Sequence, residues 1–306
     1  MTQSTGVPTP RTPIADIFEE AFRLYQRSFL TMVVVFALFE VPLVIVTLPL
    51  SLAQAQWSRQ WSTTAPDLDL LGPWIGATLL FWLVAALLWT FSAAGVTYVA
   101  GRSRTAASPS IPEAVRELRR LAPSLLGYVA LLVAGSLVVI VAVAMVVLVT
   151  IALVDLRSSA GIAVVVISVF LFSVATVVVL GFIVTRLTLA VPVLVLEGER
   201  PTGAVRRSWV LVRGSTWRTL GILFLAGAVV GVIGLVVSPA YLPGVFEGLM
   251  SGSVGSFAFV ALVSGAVRTL VGPIVPVLMT VLYFDYSQRV GAQRRNPYPE
   301  STATTA

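Results

Sequence analysis

Any chemistry in this chain falls to Asp, Glu, Arg, Ser, Thr and Tyr, because the sequence holds no Cys and no His. Every basic side chain is Arg, and no Lys occurs. A Ser-His-Asp triad, an imidazole- or thiolate-bound metal, a thiol nucleophile, a P-loop lysine and a Schiff base are thereby excluded. What remains is a small set of charges in apolar surroundings. Glu40 stands inside an apolar run, two residues before Pro42. Arg268 interrupts a second run and Arg186 a third. Ionisable groups within a bilayer are rare and face the protein interior or a cavity. An ion pair between Glu40 and Arg268 would satisfy both and could gate a path. The plainer readings are a hydrogen-bonded structural Glu40 and an Arg268 near the outer interface. A second set combines Arg206, Arg207, Arg213 and Arg218 with Trp209 and Trp217. Basic and aromatic side chains in such a mixture suit a lipid headgroup layer. No metal site and no cofactor is expected. No nucleophile–base set can be named, so the chain is expected not to be an enzyme.

The elements that carry these charges follow from composition. Of 306 residues, 57% are hydrophobic and 11% charged, with a mean hydropathy of +0.95. Soluble domains carry about 25% charged residues. An all-α polytopic membrane bundle is therefore expected, with about six spans. The apolar runs are 29–53, 74–101, 124–154, 161–189, 220–237 and 254–286. Apolar sequence continues beyond the fourth run to Leu196, too long for one straight crossing. Arg186 is expected to mark the interface there, and Pro192 to bend the remainder. The last run leaves open whether residues 239–267 form a separate outer or re-entrant helix.

Arginine alternates between the connections. Arg11, Arg23 and Arg27 precede the first run, and Arg102, Arg104, Arg116, Arg119 and Arg120 separate the second from the third. Arg186, Arg200, Arg206, Arg207, Arg213 and Arg218 lie around the fourth connection, and Arg289, Arg294 and Arg295 follow the last. The other side holds Arg59 and Arg157 against Asp67, Asp69, Asp155 and Glu247. By the positive-inside rule both termini are cytoplasmic. The net charge of +6 is then explained by topology and anionic headgroups, with no nucleic-acid partner. The first 28 residues hold no short apolar stretch ending in a cleavage site, so the first span is expected as an uncleaved insertion signal. Arg in place of Lys, with abundant Ala and Val, suggests a GC-rich bacterial genome and the cytoplasmic membrane.

Three segments before the odd-numbered spans read as amphipathic interfacial helices. The first begins at Thr12-Pro13 and places Ile14, Ile17, Phe18, Ala21, Phe22, Tyr25 and Phe29 at helical spacing. The second begins at Ser110-Ile111-Pro112-Glu113, a capping box. The third runs from Pro201 to Gly214, with Val205, Trp209 and Val212 as its expected apolar stripe. They align without gaps, Phe18 with Val115 and Val205, and Leu24 with Leu121 and Leu211. One reading is three copies of one unit, each an interfacial helix and a two-span hairpin, starting near 13, 110 and 201; the other is that any hairpin protein needs basic amphipathic linkers. Such helices lie in the headgroup plane, apolar face down.

Residues 192–218 carry the most distinctive pattern: Pro192, Glu197, Gly203-Ala204, Arg207-Ser208-Trp209, Leu211, Gly214 and Trp217-Arg218. Tyr283-Phe284-Asp285 stands near the end. This resembles the membrane domain of the glycerophosphoryl diester phosphodiesterase family, which also occurs as stand-alone bacterial proteins. The resemblance implies a six-span bundle with a basic segment before the fifth span. It departs after Asp285, where Ser287 stands at the position of a common Arg and Arg289 follows. It implies no phosphodiesterase activity, because that chemistry relies on His and acidic metal ligands.

Asp285 and Arg289 are spaced for a surface ion pair on the last helix. Trp82 and Trp89 share a face of the second span, where packing or lipid contact is expected. Trp57, Trp61 and Trp74 suit an aromatic belt, and Gly231 and Gly234 suit helix packing. Residues 1–12 and 291–306 are expected as disordered ends of a membrane domain spanning 13–290. The expected function is non-catalytic: binding or organising anionic lipids, or membrane protein partners. The alternative is a small transporter or permease component lined by Glu40, Arg268 and Arg186.

Overall fold

The computed structural model describes residues 13–63, 71–105, 109–153, 158–251 and 254–295. They form ten helices: α1 (Ile14–Arg27), α2 (Phe29–Thr63), α3 (Leu71–Thr105), α4 (Ile111–Leu153), α5 (Ser159–Leu187), α6 (Ala190–Leu196), α7 (Pro201–Val212), α8 (Thr216–Ser251), α9 (Val254–Val271) and α10 (Ile274–Arg295). Six stretches are long and apolar enough to cross a membrane: Phe29–Val46, Gly76–Arg104, Ile111–Val143, Ile167–Leu196, Thr216–Gly234 and Leu262–Gly291. The chain is an all-α helical membrane bundle. Its outward faces are those of a protein solvated by lipid, with Ile167, Phe170, Leu171, Val174, Val177 and Val178 of α5 all exposed. In water such a continuous apolar face would aggregate.

Among the described residues, the buried apolar side chains gather largely at the arginine-rich end. There α3, α6 and α10 pack on one another. Around them, α1 packs on α3 and α10, the start of α4 on α3 and α6, and α7 on α6 and α10. Each leading helix thus bridges two return helices. The same register faces inward each time. Ile17, Ala114 and Ala204 are buried, as are Ala21, Leu118 and Ser208, then Leu24, Leu121 and Leu211, then Met32, Val129 and Thr219. These are the positions at which the three segments align.

Several expectations change in detail. The second amphipathic segment is no separate helix. It continues through Pro123 into the third span as one helix, α4. The expected capping box is half formed, the Ser110 N–H donating to Glu113 Oε2 at 2.9 Å. On α1, Ile17, Ala21, Leu24 and Tyr25 turn to the protein core, and Ile14 and Phe22 turn outward, as does Phe29 at the start of α2. The apolar face therefore packs on the bundle instead of lying wholly on lipid. On α7 the inward stripe is Ala204, Ser208, Leu211 and Val212. Of the expected stripe only Val212 is buried, and Trp209 is exposed. The leading-helix stripe contains a serine, which hydropathy reads as polar.

Two spans are broken. The fourth breaks at Thr188-Leu189, between α5 and α6. Pro192 lies within the first turn of α6, where its missing N–H costs nothing, so the bend precedes it. The last breaks at Gly272-Pro273 between α9 and α10, so 254–286 is not one helix. The Tyr25 hydroxyl donates to the Leu270 carbonyl beside this break. Burial pushes the Tyr25 phenol above its ordinary pKa, which keeps it a donor. At the other end α10 runs to Arg295, past the expected start of the tail. Residues 1–12 and 296–306 lie outside the described residues, as do the side chains of Trp57, Trp61 and Trp74.

Candidate functional site

The turn between α7 and α8 is made by Gly214 at φ +82, a left-handed conformation that favours glycine. It aims the start of α8 at the end of α5. The Ser215 carbonyl accepts the first bond of α8, from the Thr219 N–H at 2.9 Å. The N–H groups of Thr216 and Trp217 therefore have no acceptor within the helix. They border a cavity of about 320 Å³ lined by Phe182, Arg186, Gly214, Ser215, Thr216, Trp217 and Arg218.

Arg186 is fixed across this cavity. Its guanidinium carbon lies 5.1 Å from the Phe182 ring centroid and 5.5 Å from that of Trp209. Nη1 donates to the Trp209 carbonyl at 3.3 Å. The Ser208 hydroxyl donates to the Arg186 carbonyl at 2.6 Å, which ties the end of α5 to α7. Nε of Arg186 is enclosed without a hydrogen-bond partner. Trp217 is 85% exposed beside the cavity mouth, as an interfacial tryptophan would be.

The motif residues around the cavity meet across long sequence separations. Tyr283 donates to Glu197 Oε1 at 2.8 Å, and Arg207 Nε reaches the same oxygen at 3.3 Å. Arg218 Nη1 lies 3.4 Å from Asp285 Oδ2, and Arg289 Nη2 lies 2.9 Å from it. Thr219 and Tyr286 share a hydrogen bond of 2.9 Å. Arg104 stands over the Phe284 ring at 4.5 Å and pairs with Glu20 at 2.8 Å. The expected Asp285–Arg289 pair is thus neither isolated nor on the open surface. Asp285 is a node between α8 and α10.

Of the basic residues singled out from sequence, Arg186 and Arg218 line the cavity with Trp217, and Trp209 stacks beside it. Arg207 is held by Glu197. Arg206 and Arg213 point to solvent. Hydropathy alone did not separate the two groups. The available signal was Gly214-Ser215, a helix stop followed at once by a helix start, with Arg186 one turn from its span's end.

A second cavity, of about 440 Å³, lies mid-span and is lined from α2, α3, α8, α9 and α10. Its walls include Phe36, Leu43, Trp89, Val230, Gly234, Val267, Val271, Gly272 and Val275, with Glu40, Ser264 and Arg268 as its polar groups. Arg268 Nε lies 2.7 Å from Glu40 Oε1, and the side chains are 50% and 6% exposed respectively. The contact is an ion pair without hydrogen-bond geometry, and Oε1 makes no hydrogen bond. Arg186 belongs to the other cavity, so the three intramembrane charges do not share one path. Trp89 packs edge-on against Phe36 at 5.8 Å, and Trp82 is exposed.

Among the described residues, no group of His, Cys, Asp and Glu could hold a metal ion. In comparisons with known proteins, no family model, no curated protein and no solved structure matches the chain.

Proposed function

We propose that this is a non-catalytic membrane protein that binds an anionic phospholipid at its arginine-rich end, which faces the cytoplasm of a bacterial cell. The observation that carries this is the cavity at the α7–α8 turn. It combines two guanidinium groups with the helix N-terminal N–H groups of Thr216 and Trp217. Fixed donors at a helix N-terminus favour an anionic oxygen, and Arg suits phosphate in particular. Arg186, Arg218 and Arg289 outnumber the single nearby carboxylate of Asp285. Exposed Phe182, Trp217 and Phe224 beside it offer a wall for the acyl chains. The resemblance to the membrane domain of the phosphodiesterase family is consistent with this reading. Its motif residues Glu197, Arg207 and Asp285 hold α6, α7, α8 and α10 together behind the cavity. Membrane protein partners could use the same basic face.

Native mass spectrometry of protein released from nanodiscs tests the reading. Phosphatidylglycerol should be retained over phosphatidylcholine. Arg186→Gln should weaken that retention about tenfold, the worth of a charge-assisted contact of roughly 1.5 kcal/mol. A double Arg206→Gln, Arg213→Gln variant should retain lipid as the wild type does. Equal retention of both lipids, or an Arg186→Gln variant that holds lipid normally, would overturn the assignment.

A second reading, a small transporter, is favoured by the broken last span beside a mid-span ion pair. Discontinuous helices at midplane are where transporters place their sites.

A further inference from the structure

The mid-span cavity is built differently from the headgroup cavity, and what it would hold does not depend on the reading above. Glu40 lies eleven residues into α2, about 16 Å along the axis at ~1.5 Å per residue. That is close to the middle of a ~30 Å hydrocarbon core. Its volume of about 440 Å³ falls in the ~300–1,000 Å³ range of small-molecule sites. Phe36, Leu43, Trp89, Val230, Val267 and Val271 make the walls apolar.

The polar end is specific. Glu40 and Arg268 are the charged groups among the described residues that line the cavity. Among the described residues, α3 and α8 line the cavity with Trp89, Val230 and Gly234. Glu40 Oε1, on a side chain 6% exposed, accepts no hydrogen bond. Arg268 engages Glu40 through Nε, which leaves its terminal fork to offer two parallel N–H donors. Oε1 is enclosed against Arg268, and the pair presents donors beside a carboxylate that lines the cavity. The complement is a carboxylic acid group, whose oxygens take the fork and whose O–H reaches the Glu40 carboxylate.

We propose that this cavity binds a long-chain carboxylic acid, its headgroup on the Arg268–Glu40 pair and its chain along the apolar wall, with one proton held between the ligand carboxyl and Glu40. Charge balance requires the proton. Glu40 and Arg268 already cancel, so an unaccompanied carboxylate would leave a net negative charge in hydrocarbon. One proton taken from solvent restores neutrality, and no bond other than O–H forms or breaks.

Tryptophan quenching by a chain-brominated fatty acid, with its methyl ester as control, reads the site directly in the detergent-solubilised protein. The acid should give a saturable quenching component that is missing in Trp89→Phe, and the ester should not. Arg268→Gln should lower the apparent affinity at least about tenfold, as loss of a bidentate charged contact does. Gly234→Leu guards against misfolding of that variant. Gly234 lines the cavity and a Cβ there meets no atom within 4 Å, so a leucine has room to enter it without displacing the ion pair and should also abolish the component. Where the free acid is ionised, wild-type affinity should fall as pH rises. Glu40→Gln should bind with no pH dependence, because the amide it introduces can donate to the anion directly. Quenching by the ester equal to that by the acid, normal binding in Gly234→Leu, or an unchanged pH dependence in Glu40→Gln would overturn the proposal.

Discussion

Asp285→Ala should melt well below the wild type in the same detergent, by on the order of 5–10 °C if one kcal/mol moves the midpoint by ~2–4 °C. Asp285 sits between Arg218 and Arg289, and the three side chains are 12%, 13% and 18% exposed. Removing the carboxylate leaves two guanidinium groups facing each other in a poorly hydrated site. Breaking a buried pair by deleting one partner costs about 3–5 kcal/mol, and the residual exposure places this case at the low end. An exposed helical pair would lose only ~0.5 kcal/mol, so the measurement separates a surface pair from the node described here. Scanning fluorimetry of Asp285→Ala beside Arg120→Gln, whose Glu117 partner lies on an exposed surface, makes the comparison internal. Equal melting of the two would show that Asp285 ties nothing together. Partial recovery in Asp285→Ala with Arg218→Met would confirm that stranded charge, not lost packing, dominates.

The spans were legible because lipid solvation leaves a coarse signal: long apolar runs bounded by arginine. The helical periodicity of α1 and of the start of α4 was legible too, but that Ile17, Leu24 and Leu121 turn to the bundle and not to lipid was not. What hydropathy cannot express is the packing partner. Ser208 is buried because its hydroxyl satisfies the Arg186 carbonyl, and that carbonyl is freed by a helix end 22 residues earlier in the chain. Likewise the breaks at 188–189 and 272–273 fall inside stretches that hydropathy reads as single runs. They depend on donors supplied from elsewhere, such as the Tyr25 hydroxyl, which bonds the Leu270 carbonyl. The contact between Glu40 and Arg268 could be anticipated because two mid-span charges of opposite sign have few other partners. The division of the arginines could not. Arg207 and Arg218 are occupied by Glu197 and Asp285, carboxylates 10 and 67 residues away.

Gly272→Val should destabilise the bundle at its broken last span and disturb the mid-span cavity together. A Cβ at position 272 would lie 2.5 Å from the Arg268 carbonyl oxygen and closer still to the Phe36 ring. That carbonyl accepts the Gly272 N–H at 2.7 Å, so it cannot withdraw without unwinding the end of α9. Phe36 is fully buried, edge-on to Trp89, so its ring can leave the clash only into the mid-span cavity that it lines. Overpacking of this kind costs about 1–3 kcal/mol, and β-branching at a helix break raises it. The relaxation that remains is a shift of α9 away from α2, which pulls Arg268 from Glu40. Gly234→Leu adds more volume beside the same cavity, but its Cβ meets no atom within 4 Å, so it should melt within about 1 °C of the wild type, as a substitution into open space does. A bundle whose stability tracked cavity filling alone would order the two variants the other way. One held by the close approach of α2 to the α9–α10 break must lose stability in Gly272→Val first.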